Sequence, residues 1–173
     1  METMQAVFGR KSYRGGFTGA PVPREDLREI MEAGLAAPSG HNLQTTQLIG
    51  VDDPELLKRL ADCFPHSGMT TAGAMVVVLA KKIQCVDGAF YHVEDFAAAT
   101  ENMLLSIHDK GYASVWLQGV VRGEPAARMA AILGVPREVE VVVCLPIGIP
   151  AKPFKEAPKA PFEDRAWFNG YQV

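Results

Sequence analysis

The chain has 173 residues, 48% of them hydrophobic and 21% charged, with a formal net charge of −3. That length favours one domain with a self-sufficient core, and so mild a charge excludes a broad electrostatic footprint for nucleic acid or an anionic membrane. There is no apolar run long enough to span a bilayer. Met1-Glu2-Thr3-Met4-Gln5 lacks the basic and apolar regions of a signal peptide. Cys63, Cys85 and Cys144 are odd in number and far apart. They suit a reducing cytoplasm better than a disulfide framework or a zinc site.

In chain order, residues 3–9 read as a short helix with Met4, Val7 and Phe8 on one face. After a glycine loop at residues 15–19, Pro23 opens a second helix with Glu25 and Asp26 in its first turn, and Pro38 ends it near Ala37. A polar turn, Pro38-Ser39-Gly40-His41-Asn42-Leu43-Gln44, leads into a strand at about Thr46–Val51. Asp53-Pro54 starts a third helix, running to about Phe64, with a capping side chain followed by proline at the first helical position. Residues 65–73 read as irregular. Residues 74–80 are a β-branched run, expected to be a strand covered on both faces. Residues 82–93 form a long connection. Asp95 is expected to cap the longest helix, about 95–110, with Phe96, Thr100, Met103 and Ile107 inward and Gly111 closing it. A short strand is expected at 113–117, a helix from about Pro125 to Gly134, and a last strand at 140–147.

The stretch Arg10-Lys11-Ser12-Tyr13-Arg14 carries the first chemical signal. In an extended segment, Arg10, Ser12 and Arg14 leave one side of the backbone together. Guanidinium forks beside a hydroxyl suit a phosphate monoester. The competing reading is a solvated basic patch. The last 23 residues, 151–173, read as an extended arm. Pro150, Pro153, Pro158 and Pro161 discourage helix and central strand, and Phe154, Phe162, Trp167, Phe168 and Tyr171 need something to pack on. That something is either the chain's own domain, residues 1–150, or a second subunit. His41, His66, His92 and His108 show no metal-ligand spacing, and no serine or cysteine sits in a nucleophile motif.

Together these stretches resemble the FMN-dependent nitroreductase family. The match rests on Arg10-x-Ser12-x-Arg14, on Ala37-Pro38-Ser39-x-x-Asn42-x-Gln44, on Asp95 through Glu101-Asn102-Met103-Leu104-Leu105 to Gly111-Tyr112-Ala113-Ser114-Val115-Trp116, and on Pro146-Ile147-Gly148-Ile149-Pro150. The resemblance implies an α+β fold: a mixed, mostly antiparallel sheet of four to five strands flanked by helices, in a homodimer clasped by exchanged C-terminal arms. It implies that Arg10, Lys11, Ser12 and Arg14 form the FMN phosphate side of a binding site. Pro38, Ser39 and Gly40 would come from the other subunit and pack on the ring system, Asn42 and Gln44 would add cofactor contacts, Gln118 and Gly119 would lie by flavin N5, and Arg165 would add a second phosphate cation from the tail.

The implied activity is hydride transfer from NADH or NADPH to FMN, then electron transfer to a small-molecule acceptor, a nitroaromatic, quinone or free flavin, by a ping-pong mechanism. An oxygen-dependent specialised member of the same fold and a flavin-binding module without turnover are the alternatives. Taken by their residue types alone, Asn42 and Gln44 could instead satisfy turn backbone, Gly119 could mark a bend, and Arg165 could be a solvated charge. Thr45-Thr46 stands where many members carry Pro-Trp, and only residues 82–93, with Phe90 and Tyr91, are available to cover the flavin.

Overall fold

The computed structural model describes residues 2–64, 66–155 and 157–171. Its centre is a three-stranded antiparallel sheet in the order β1 (Thr46–Val51), β2 (Ala74–Lys81), β3 (Val139–Ile147). The β-branched run of β2 is central, as its composition requires: from Ala74 to Ala80 each residue is at most 5% exposed. Met75, Val77 and Leu79 face one core with Leu57, Leu60 and Met129, whereas Val76 and Val78 face the other with Leu27, Ile30, Met103 and Ile107. In β3 the apolar residues would crowd onto one face under strict alternation. An irregularity opposite Val78 and Leu79 skips Val142, so Val139 and Val141 join the first core while Val143, Leu145 and Ile147 join the second.

The helices are α1 (Thr3–Gly9), α2 (Arg24–Leu35), α3 (Pro54–Ala61), α4 (Ser67–Thr70), α5 (His92–Asp109) and α6 (Glu124–Leu133). Helix α3 starts as expected: Asp53 Oδ1 accepts from Leu56 N–H at 2.7 Å, and Pro54 is its first residue. Helices α2 and α5 cover one face of the sheet. They touch closely at Gly34, where a Cβ would fall 2.7 Å from Met103 Cγ. Lys110, just past α5, donates to Asp26 and Glu29 of α2, and Tyr112 Oη donates to Asp26 Oδ2 at 2.7 Å. Helices α3 and α6 cover the other face, and α6 closes on Gly134 in the left-handed conformation.

The structure departs from the sequence expectations in several places. Helix α5 begins at His92 rather than Asp95, so Asp95 sits in its first turn and is not its cap. Residues 67–70 form the short helix α4 inside the stretch read as irregular, whose residue 65 lies outside the described residues. Among the described residues the sheet has three regular strands, not four or five. Residues 113–117 do run alongside β3: Ala113 and Gly148 exchange both backbone bonds, as do Leu117 and Cys144. In that register Val115 stands opposite Pro146, which has no N–H to donate. The middle of the ladder is missing and only isolated bridges remain.

Candidate functional site

The Arg10–Arg14 stretch is added to the edge of this sheet. Tyr13 N–H donates to Ser114 O at 2.8 Å, and Ser12 bridges Ser114 in parallel. Farther on, Thr18 N–H donates to Ile149 O, and Ala151 N–H donates to Gly16 O. Residues 10–18 therefore thread between the 113–114 edge and the start of the arm. Tyr13 turns inward and is buried, with its ring 5.3 Å from both Phe17 and Phe154. Its hydroxyl donates to Gly16 O at 2.8 Å and accepts from Lys152 N–H at 3.1 Å. One aromatic side chain thus pins the loop to the arm, while Ser12 and Arg14 stay exposed.

The result is a cavity of about 850 Å³ in which Arg10, Lys11, Ser12 and Arg14 meet Lys152, Lys155 and Lys159 of the arm. No carboxylate lies among its described lining residues. Cations gathered this closely repel one another, and an anionic ligand relieves that repulsion. Arg10 Nε lies 3.0 Å from Glu101 Oε1 on α5, an ion pair that anchors the side chain at the back. The pair lacks hydrogen-bond alignment, and this buried Nε has no hydrogen-bond partner among the described residues. His66 stands near Arg14. Burial, and then the Arg14 charge, push its pKa below the ordinary value, and its neutral Nδ1 accepts from Gly68 N–H at the start of α4.

The other expected site residues lie elsewhere in the chain. The turn holding Pro38, Ser39, Gly40, Asn42 and Gln44 packs against the start of α5. Asp95, buried there, is its organiser: Oδ1 accepts from Gly40 N–H at 2.7 Å, and Oδ2 accepts from the buried Thr45 hydroxyl at 2.6 Å. Ser39 Oγ accepts from Gln44 N–H at 3.0 Å. His41, Asn42 and Gln44 all adopt positive φ, between 49° and 55°, and non-glycine residues held this way concentrate at functional sites.

Gln118 lines a separate, mostly apolar cavity of about 800 Å³ between α5, α6 and β3, and its Oε1 accepts from Trp116 Nε1–H. Gly119 follows it, and a Cβ there would meet nothing within 4 Å. Arg165 is exposed and is not among the residues lining the cationic cavity. One chain therefore unites Arg10, Lys11, Ser12 and Arg14, but not the turn, Gln118-Gly119 or Arg165. Sequence reasoning missed Tyr13 and the arm lysines, and it made Asp95 a helix cap where its bonds go to Gly40 and Thr45. The lysines carried a signal, three cations within eight residues of the arm, but the arm was read only for its aromatics.

The fold is α+β, with a cation-lined cavity at the edge of its sheet. The sequence pattern of the Nitroreductase family matches residues 7–66 and 63–149. A protein of Archaeoglobus fulgidus, provisionally named NADH dehydrogenase/NAD(P)H nitroreductase, is 33% identical over 159 residues, covering 90% of this chain and 91% of its own. The NADPH-flavin oxidoreductase of Vibrio harveyi is 25% identical over 98% of this chain and 75% of its own length. Among solved structures, an FMN-dependent nitroreductase of Clostridium difficile R20291 aligns with a TM-score of 0.81 and 27% identity, over 97% of this chain and 99% of that one. The chain belongs to the nitroreductase family, and it is an oxidoreductase.

Proposed function

We infer that the protein is an FMN-dependent oxidoreductase. It takes reducing equivalents from NADH or NADPH and passes them to a nitroaromatic, quinone or flavin-type acceptor in two separable half-reactions. The observation that carries this reading is the cavity of Arg10, Lys11, Ser12 and Arg14, closed by Lys152, Lys155 and Lys159 without a lining carboxylate among the described residues. The residues fit FMN: cations for its phosphate, a serine hydroxyl to donate, and the buried Arg10 Nε that lacks a hydrogen-bond partner. The volume lies within the range of about 300–1,000 Å³ common for cofactor sites. The names of the Vibrio harveyi and Clostridium difficile relatives point the same way.

Bound FMN would supply the redox chemistry, two-electron uptake from nicotinamide and return to the acceptor. The chain's own residues bind and orient. Arg10, held from behind by Glu101, and Arg14 would neutralise the phosphate, and Ser12 would donate to it. Tyr13 keeps residues 10–16 in register with the arm. Gln118 and Gly119 would lie by the ring edge at N5, where a backbone N–H can donate. The turn at residues 38–44 does not reach the cationic cavity of its own chain. It would serve the site of a second copy, so we read the assembly as a homodimer, with Arg165 reaching across as well.

Arg10→Ala tests this reading. It removes charge-assisted bonds of roughly 1.5–3 kcal/mol each, so FMN affinity should fall about one to two decades per bond, while riboflavin affinity barely moves. Equal wild-type affinity for riboflavin and FMN would overturn the phosphate assignment. Initial rates with NAD(P)H and a quinone should give parallel double-reciprocal lines, and intersecting lines would overturn the two-step scheme.

A further inference from the structure

Outside the cationic cavity, three metal-ligating side chains meet where the 38–44 turn abuts the connection between β2 and α5. They are His41, Cys85 and Asp87, and one donor atom of each lies within 4.8 Å of the other two. The four histidines show no metal spacing along the chain. The fold supplies what that spacing lacked by bringing a thiol and a carboxylate to one of them. His41 Nε2 is 3.5 Å from Asp87 Oδ2. Two ligands of tetrahedral zinc, with bonds of about 2.0–2.2 Å, stand roughly 3.4 Å apart. That pair is already at ligand spacing. The Cys85 sulfur would have to close by no more than about 1.2 Å.

The surroundings hold these ligands in place. Asp87 Oδ1 accepts from Ala89 N–H at 2.9 Å and Oδ2 accepts from the Tyr91 hydroxyl at 2.8 Å, so both carboxylate oxygens are oriented. The Tyr91 ring lies against Gly40, where a Cβ would sit 2.5 Å from Tyr91 Cβ, and is 5.8 Å from the His41 ring. The Cys85 loop is closed by Cys85 N–H to Ala89 O and Gly88 N–H to Cys85 O, both at 2.9 Å. The His41 and Asp87 side chains are 46% and 42% exposed, which leaves the cluster open to solvent.

We propose that His41, Cys85 and Asp87 form a Zn²⁺ site with its fourth position open to water or an added ligand. A thiolate with an imidazole selects zinc over magnesium or calcium. Thiolate and carboxylate together balance the ion's charge. On binding, the Cys85 S–H bond breaks, its proton leaves to solvent and a Zn–S bond forms, with no change of oxidation state. The ion would fasten the 38–44 turn to the 82–91 connection. Tyr91 is a positioning residue that orients the ligating carboxylate.

The test uses the full-length protein with its flavin as isolated, cleared of metal by chelation and titrated with zinc chloride. One zinc per chain is expected, with affinity falling as the pH is lowered and protons compete with the metal for its ligands. With Co²⁺ as the probe, a difference spectrum should show thiolate-to-metal charge transfer. Cys85→Ser should abolish that band and weaken zinc at least tenfold. Tyr91→Phe, which keeps the ring, should weaken it by about tenfold. In the wild type, zinc should also slow alkylation of Cys85, read by peptide mass, so the answer does not depend on a variant that folds. Absence of zinc binding at micromolar metal, an unchanged cobalt spectrum in Cys85→Ser, or no protection of Cys85 would overturn the proposal. None of these readouts uses turnover, so their outcome is separate from that of the FMN reading.

Discussion

Strand β2 and the C-terminal arm dispose of apolar side chains in opposite ways. In β2 each residue from Ala74 to Ala80 is sealed between two helical layers of the same chain. In the arm, Phe162, Phe168 and Tyr171 are 57%, 76% and 77% exposed. Their aromatic partners lie within the arm: Phe162 against Phe168 at 6.0 Å, and Tyr171 against Trp167 at 4.2 Å. Phe154 docks on the domain ring to ring, through Tyr13. Helix α1 behaves like the arm, since its apolar face of Met4, Val7 and Phe8 is exposed. The chain completes its central sheet unaided and leaves its periphery unfinished, and the periphery is where the cationic cavity lies. In the proposed homodimer, a two-fold partner would supply that missing surface reciprocally.

Deleting the arm from Ala151 onward should break this comparison most severely. The shortened chain should lose both the dimer and FMN, since Lys152, Lys155 and Lys159 leave the cavity and the aromatic surface goes with them. Light scattering and flavin fluorescence read the two effects. Changing the three lysines to alanine with the arm in place should separate them, releasing FMN from an intact dimer. A truncated chain that stays folded, monomeric and fully loaded with FMN would show that the cofactor site is built within one subunit.

Paired point substitutions sharpen the contrast. Met103→Ala, at a fully buried position, should cost about 2–5 kcal/mol in denaturant melts whatever the protein concentration. Phe168→Ala should leave the unfolding of isolated monomer unchanged and weaken the dimer by roughly 1.5–3 kcal/mol, if the ring is buried there. A Phe168→Ala dimer as tight as wild type would remove that ring from the interface.

Asp95 is a third comparison point, a charged group treated like core. Asp95→Ala strands the Gly40 N–H and the buried Thr45 hydroxyl, at about 1–3 kcal/mol for each donor left unpaired. Asp95→Asn, which keeps one acceptor, should fall between. Backbone mobility around residues 39–45, read by hydrogen exchange, should rise in the same order. Equal exchange in all three proteins would mean the turn is held by other contacts.

Much of this was legible in the sequence where the signal is local. Asp53-Pro54 sets a helix start through one side chain and one fixed φ, the β-branched run of β2 marks a central strand, and Arg10, Ser12 and Arg14 alternate as an extended segment must. Legibility fails where the decisive partner is distant. A carboxylate near a helix start reads as a cap, yet the bonds of Asp95 go to Gly40 and Thr45. Pro146 sat plainly in the last strand, but which neighbour it would deprive of a donor depended on the register of residues 113–117. The meeting of His41 with Cys85 and Asp87 exists only once the turn and the connection are folded against each other.

The smallest expected effect is a pH dependence at the edge of the cavity. His66 is partly buried beside Arg14, and both influences depress its pKa from the ordinary value, burial the more strongly. Its Nδ1 accepts from Gly68 N–H, a bond that protonation on that nitrogen would destroy. A depressed pKa means that the unfolded chain binds the proton more readily. The stabilisation is therefore fully present above the unfolded value of about 6.5, and it is lost as pH falls through the lower folded value. A bound phosphate beside Arg14 would offset that cation and ease protonation, so loading with FMN should make the loss smaller. His66→Ala removes the cap at every pH. The gap in melting temperature between wild type and His66→Ala should be widest near pH 7.5 and should narrow toward about pH 5. A gap that stayed constant across that range would show that folding does not depress the His66 pKa, and would remove both burial and Arg14 as influences on it.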